Sequence, residues 1–175
     1  TVNSASNIEI AQNDVTQTVV LQNLGNDDNS EETFTLTPGQ LPSSSSITGA
    51  SATVDSGDVS ISTSASPNGA NDAVTVGITD SDTSTNNGQV TVSITYDTSS
   101  ETTTSPTGVS MTLSSGGSHS GSASFDYTDT TPSITGGTTA DADDDGDVDK
   151  ISIQFDQETS SQPGTGSLSL SDGGT

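Results

Sequence analysis

Apolar and polar residues alternate with period two along most of this chain. "NIEIA" places Ile8 and Ile10 on one face, and "TVVLQNL" and "FTLT" follow, the latter presenting Phe34 and Leu36. "DVSIST" shows Val59 and Ile61, "AVTVGIT" shows Val74, Val76 and Ile78, and "QVTVSITY" shows Val90, Val92, Ile94 and Tyr96. "GVSMTL" and "SASFDY" continue the pattern with Val109, Met111, Leu113, Ala123, Phe125 and Tyr127. Strict alternation rich in Val, Ile and Thr is the pattern of a half-buried strand. Turn-forming clusters separate the runs: "GNDDNS", "SPNGAND", "TNNG", "SPTG" and "SGGSHSG". No stretch repeats apolar residues at helical spacing for long enough to predict a helix.

Short strands and turns at this spacing predict an all-β fold, an immunoglobulin-like antiparallel β-sandwich. Residues 1–129 supply eight or nine strands, enough to complete one. The Cys and Trp that mark antibody domains are absent from it. "DYTDTTPSITGG" then reads as a linker into a new strand, with Pro132 keeping the residue before it extended. "KISIQF" (Ile151, Ile153, Phe155) and "GSLSL" (Leu168, Leu170) follow. Residues 130–175 thus offer three strands, a partial second β domain. Three strands do not close a sandwich, so their edges are expected to accept a strand from downstream sequence or from another chain. "NIEIA" is the expected donor if copies exchange strands.

Charge changes the picture more than length does. The formal net charge is −23, with 24 acidic residues against one Lys, one His and no Arg. A nucleic-acid partner is excluded on this count, because a single Lys cannot replace phosphate counterions along a nucleic acid. An anionic membrane surface repels it, and no stretch is apolar and long enough to span a bilayer. Ser and Thr form about a third of the residues, and there is no Cys, so no disulfide holds the fold. The near-absence of Lys and Arg points to a high-salt setting. At about 1 M salt the Debye length falls to about 3 Å, and carboxylates no longer repel one another over distance. The chain begins at Thr1 with neither Met nor signal peptide, which reads as a processed or truncated start.

Residues for catalysis are few. His119, the sole histidine, sits in "GGSHSG" and reads as a solvated loop residue, not as the oriented base of a Ser-His-Asp site. Carboxylate pairs of the glycosidase type usually line clefts with aromatic platforms, and this chain has three Phe, two Tyr and no Trp. A phosphate-binding Gly-rich loop and a Cys/His zinc cluster are both missing. There is also no Asn-x-Ser/Thr sequon, so N-glycosylation is not expected in this stretch. An enzyme is not expected.

"DADDDGDVD", residues 141–149, is the candidate site. Calcium takes several hard oxygen ligands brought together by a sharply turning loop. Asp141, Asp143 and Asp145 occupy positions 1, 3 and 5 of the D-x-D-x-D-G pattern, and Gly146 supplies the turn at position 6. Asp147 is expected to ligate by its carbonyl, and Asp149 directly or through water. Position 12, the bidentate Glu of an EF-hand, is Ser152, and "KISIQF" is a strand pattern. The expected site is therefore a structural Ca²⁺ loop between strands.

With its D-x-D-x-D-G-x-V-D loop before "KISIQFDQE", its Ser/Thr-rich strands and its depleted Lys and Arg, the chain resembles the modular secreted and cell-surface β-sandwich proteins of haloarchaea. The loop match covers residues 130–160; the compositional match covers the whole chain. The resemblance implies an extracellular structural or adhesive role: a surface layer, a pilus-like filament or a stalk. The partners it implies are copies of the chain or other surface proteins. A spike, turret or tail-fibre module of a haloarchaeal virus fits the same features, with virion proteins as partners. A carbohydrate-binding accessory module is the third reading, and an exposed aromatic platform would favour it.

Overall fold

The computed structural model describes residues 1–10, 13–25, 30–80, 87–101, 107–117, 119–129, 134–143 and 145–155. Among them every helix or strand element is a strand, as the period-two pattern predicts. In chain order these are β1 (Val2–Ala5), β2 (Ile8–Glu9), β3 (Val15–Leu24), β4 (Glu31–Pro38), β5 (Ser46–Ser56), β6 (Val59–Pro67) and β7 (Val74–Asp80). Next come β8 (Gly88–Asp97), β9 (Val109–Ser115), β10 (Ser120–Phe125), β11 (Tyr127–Thr128), β12 (Ile134–Ala140) and β13 (Lys150–Phe155). The chain divides into two compact units, Thr1–Thr130 and Thr131–Thr175.

Unit 1 contains two antiparallel sheets, one ordered β1-β3-β8-β5 and the other β10-β9-β4-β7-β6. Their phase follows from the sequence. In β8, Val90, Val92, Ile94 and Tyr96 point inward and are fully buried, while Thr91, Ser93 and Thr95 between them stay half-exposed. Phe34 and Leu36 of β4, Val74 and Val76 of β7, and Met111 and Leu113 of β9 are buried in the other sheet. These residues join Val19 and Leu21 of β3 in one continuous buried cluster, so the two sheets share a core. Burial of a Leu, Ile or Phe side chain stabilises by roughly 1.5–3 kcal/mol, and this cluster is what holds unit 1 together.

A neutral polar side chain is also buried within that core. Gln17 lies on the inner face of β3 and is fully buried. The Tyr96 hydroxyl donates to its Oε1 at 2.7 Å, and its Nε2 donates to the Ser6 carbonyl at 2.8 Å. Both ends of the amide are satisfied, which removes most of the cost of burying it. Burial, and secondarily the nearby Tyr127, push the Tyr96 phenol well above its ordinary range.

Two strands of the sheets are not marked by alternation. β5 pairs with β8 through register shifts between Ile47 and Gly49 and between Val54 and Ser56. Its inward residues after Ile47 are the half-buried Ala50, Ala52 and Val54, two of them too small to mark a strand, and the shift at Gly49 breaks their phase with Ile47. β1 carries a single buried apolar residue, Val2. The turn from β5 to β6 needs glycine twice over. Gly57 has φ +85°, and a Cβ there would lie 2.6 Å from the Gly88 Cα.

Unit 2, as described, is an antiparallel hairpin of β12 and β13. Ala140 pairs with Lys150, Thr139 with Ile151 and Gly137 with Ile153. Ile134, Ile151 and Ile153 are 66%, 38% and 41% exposed. The third strand expected here, "GSLSL", lies outside the described residues.

Candidate metal-binding turn

The acidic run occupies the turn of this hairpin. Ala140 closes β12 and Lys150 opens β13 directly opposite it, so Asp141 and Asp149 flank the mouth of the loop. The Asp149 amide donates to the Ala140 carbonyl at 3.0 Å and draws the two sides together. Aspartate carboxylates then tie the loop to its own backbone. Asp149 Oδ2 accepts from the Ala142 amide at 2.7 Å, and Asp141 Oδ2 accepts from the Gly146 amide at 2.8 Å. Gly146 has φ +94°, with open space where a Cβ would stand. It is required for its backbone conformation and not for lack of room.

The result brings Asp141, Asp143 and Asp149 to one point. Each offers a carboxylate oxygen, and these oxygens lie within 4.8 Å of one another on the exposed side of the turn. Asp145 is not part of this group. Its Oδ1 accepts from the Asp147 amide at 2.9 Å, a local turn contact that aims the carboxylate at its own loop. Asp147 enters through that amide. Of the D-x-D-x-D spacing, then, positions 1 and 3 converge, position 9 joins them, and position 5 stabilises the turn. Asp144 lies outside the described residues.

Three carboxylates this close repel one another in the absence of a cation. The donor set is all hard oxygen, with no imidazole or thiolate, which suits a divalent cation of the calcium or magnesium class and not zinc. The group can chelate such an ion, with water and backbone carbonyls completing the six to eight oxygens that calcium takes.

No known protein family matches the chain, and no curated protein or solved structure is significantly similar to it.

Away from this turn, the structure corrects the reading of His119 as a solvated loop residue. Its Nδ1 lies 2.9 Å from Glu32 Oε2, and the two side chains are only 14% and 7% exposed. The ring also packs against Phe34, with centroids 5.4 Å apart. Glu32 is the cause. It shares the inward phase of Phe34 and Leu36 on β4, so its carboxylate is buried and draws in donors: the Gly117 amide at 3.0 Å as well as His119. A Cβ on Gly117 would come within 2.6 Å of Glu32 Oε1, so the Gly-rich turn is a seat for this carboxylate. The alternation in "EETFTLT" already carried the signal, since Glu32 is in phase with the apolar residues.

Other acids are held in the same manner. Glu101 is buried and accepts from the Ser44 amide at 2.9 Å and the Ser45 hydroxyl at 3.3 Å. Asp97 is held below the usual carboxylate range by the Ser99 hydroxyl first and the Ser99 amide second. Phe34, Tyr96, Phe125 and Tyr127 all lie in the core of unit 1.

Proposed function

We propose that this chain is an extracellular structural module of a salt-adapted organism, an immunoglobulin-like sandwich followed by a hairpin whose acidic turn holds a calcium ion. The convergence of Asp141, Asp143 and Asp149 at the hairpin mouth carries the metal part of this reading. A divalent ion there would neutralise the three carboxylates where β12 and β13 diverge. It would hold the strands in register and leave no reacting group beside it, a structural role and not a catalytic one.

The strand order supports the sandwich. β1-β3-β8-β5 corresponds to the A-B-E-D sheet of an immunoglobulin domain, and β10-β9-β4 to its G-F-C sheet. The departure is the β6–β7 hairpin, which extends the second sheet beside β4 but enters the chain between β5 and β8. Variable-type domains place their extra pair earlier, between the third and fourth strands. Two features favour a structural over a carbohydrate-binding role: the burial of the four aromatics of unit 1, and the apolar face that Ile134, Ile151 and Ile153 present for an added layer or strand.

Titration of metal-stripped protein with Ca²⁺ in molar NaCl tests the proposal. Millimolar Ca²⁺ is expected to raise the melting temperature of the hairpin unit in the wild type. The effect should be lost in Asp143→Ala and retained, though weakened, in Asp145→Ala. Identical melting with and without Ca²⁺ in all three proteins would show that the turn is a solvated acidic loop.

A further inference from the structure

We propose that unit 1 is a tension-bearing module in which β2, its second strand, and β11, its last, form a shear clamp. β2 and β11 pair in parallel, Ile8 with Tyr127 and Glu9 with Thr128. All the other strand pairs among the described residues are antiparallel. In a parallel pair the N-terminal side of one strand and the C-terminal side of the other point to opposite ends. Load that enters unit 1 ahead of β2 and leaves it after β11 therefore drags the two strands lengthwise past each other. The bonds between them share the load at once. A pair loaded across its strands from one end gives up its bonds one at a time.

The clamp has more bonds than its length suggests. The Ile8 amide donates to the Asp126 carbonyl at 3.0 Å, and the Ile10 amide to the Thr128 carbonyl at 2.7 Å. Side chains add two more. The Asp126 amide donates to Asn7 Oδ1 at 2.9 Å, and the Thr128 hydroxyl to Glu9 Oε2 at 2.9 Å. Ile8 and Ile10 are fully buried, so sliding the strand also drags two apolar side chains out of the core. The position in the fold matters as much. β1, just upstream, belongs to the four-stranded sheet, and β10, just before β11, belongs to the five-stranded sheet. The clamp thus ties the first strand of one sheet to the last strand of the other. It stands on this strand geometry and does not depend on the metal reading.

Single-molecule pulling of the full chain in molar NaCl tests it. The chain has no Cys, so introduced cysteines give unique handles. One double variant carries Thr1→Cys and Thr175→Cys, for load from end to end. The other carries Gly69→Cys and Thr107→Cys, exposed positions that precede β7 and β9 at the same end of the five-stranded sheet, on either side of β4. Forced unfolding is governed by the unfolding rate, so the end-to-end force for the unit 1 step should exceed the sideways force by roughly twofold or more. Asn7→Ala and Thr128→Val should lower the end-to-end force and leave the sideways force unchanged. An end-to-end force no greater than the sideways one would overturn the proposal, and the unaltered clamp alone supplies that comparison. So would clamp variants that unfold at the wild-type force.

Discussion

The strands of unit 1 and the hairpin of unit 2 are written in the same alphabet and have opposite fates. Val90, Val92 and Ile94 of β8 are fully buried, whereas Ile151 and Ile153 of β13 alternate just as strictly and stand well exposed. β8 has β3 and β5 on its two sides and a second sheet contributing to the same core. β13 has β12 alone among the described residues. Alternation therefore specifies which face of a strand is apolar, and the number of neighbouring strands decides whether that face is covered. A lone two-stranded hairpin is marginal in water. The two units also treat their acids differently. Unit 1 buries Glu32 and Glu101 and surrounds them with donors, while unit 2 gathers Asp141, Asp143 and Asp149 in the open. Glu32 and Glu101 are each satisfied singly by protein donors, whereas Asp141 and Asp149 accept loop amides and, with Asp143, also face one another.

Salt is expected to have the largest effect on this contrast. Moving the protein from about 3 M to about 0.1 M NaCl restores long-range repulsion among a net −23 charges. Unit 1, despite its full core, should lose its cooperative transition by circular dichroism. A melting temperature that is the same at both salt concentrations would mean that the core alone suffices, and would remove the salt-adapted reading.

Paired core substitutions come next. Leu36→Ala in unit 1 should cost about 2–5 kcal/mol by denaturant titration, from lost burial and the cavity left behind. Ile153→Ala in the hairpin should cost under about 0.5 kcal/mol, as for an exposed position. A comparable loss at both sites would mean that the hairpin face is covered in solution.

Alkaline pH gives the smallest effect and sharpens the comparison further, because both tyrosines lie in unit 1. Burial is the main cause that holds Tyr96 and Tyr127 above the ordinary phenol range; a lesser cause is the neighbouring Tyr127 for Tyr96 and Glu101 for Tyr127. In the unfolded chain both phenols ionise near pH 10. Above that pH the unfolded state has released protons that the folded state retains, so stability is fully present below about pH 10 and falls as pH rises past it. A stability–pH titration of unit 1 should show this decline, and Tyr127→Phe should flatten it. A slope unchanged in that variant would assign the alkaline loss to other groups.

Much of the fold and part of the site were legible in the sequence. The inward phase of β3, β4, β7, β8 and β9 follows from the β-branched alternation, because a side-chain period of two leaves one face to bury. β5 escaped because the apolar residues between Ile47 and Val54 shrink to Ala50 and Ala52 and its register slips twice. The loop pattern pointed to Asp141, Asp143, Asp145, Asp147 and Asp149; the folded turn gathers the carboxylates of Asp141, Asp143 and Asp149, and turns that of Asp145 on the Asp147 amide. Which of the loop's six aspartates converge depends on loop dihedrals, and spacing does not encode those.

By itself the sequence determined that the protein is built of strands, which face of most of them is apolar, that its charge is overwhelmingly negative, and that one turn concentrates acid. These are local properties, set by side-chain chemistry and by the period of the backbone. Only the tertiary structure decided the partners. It placed Gln17 under Tyr96, and His119 against Glu32 across a long span of chain. It also paired the first strands of unit 1 with the last, β2 beside β11. Such contacts arise where two distant segments meet, and neither segment carries the information about the other until the shared core brings them together.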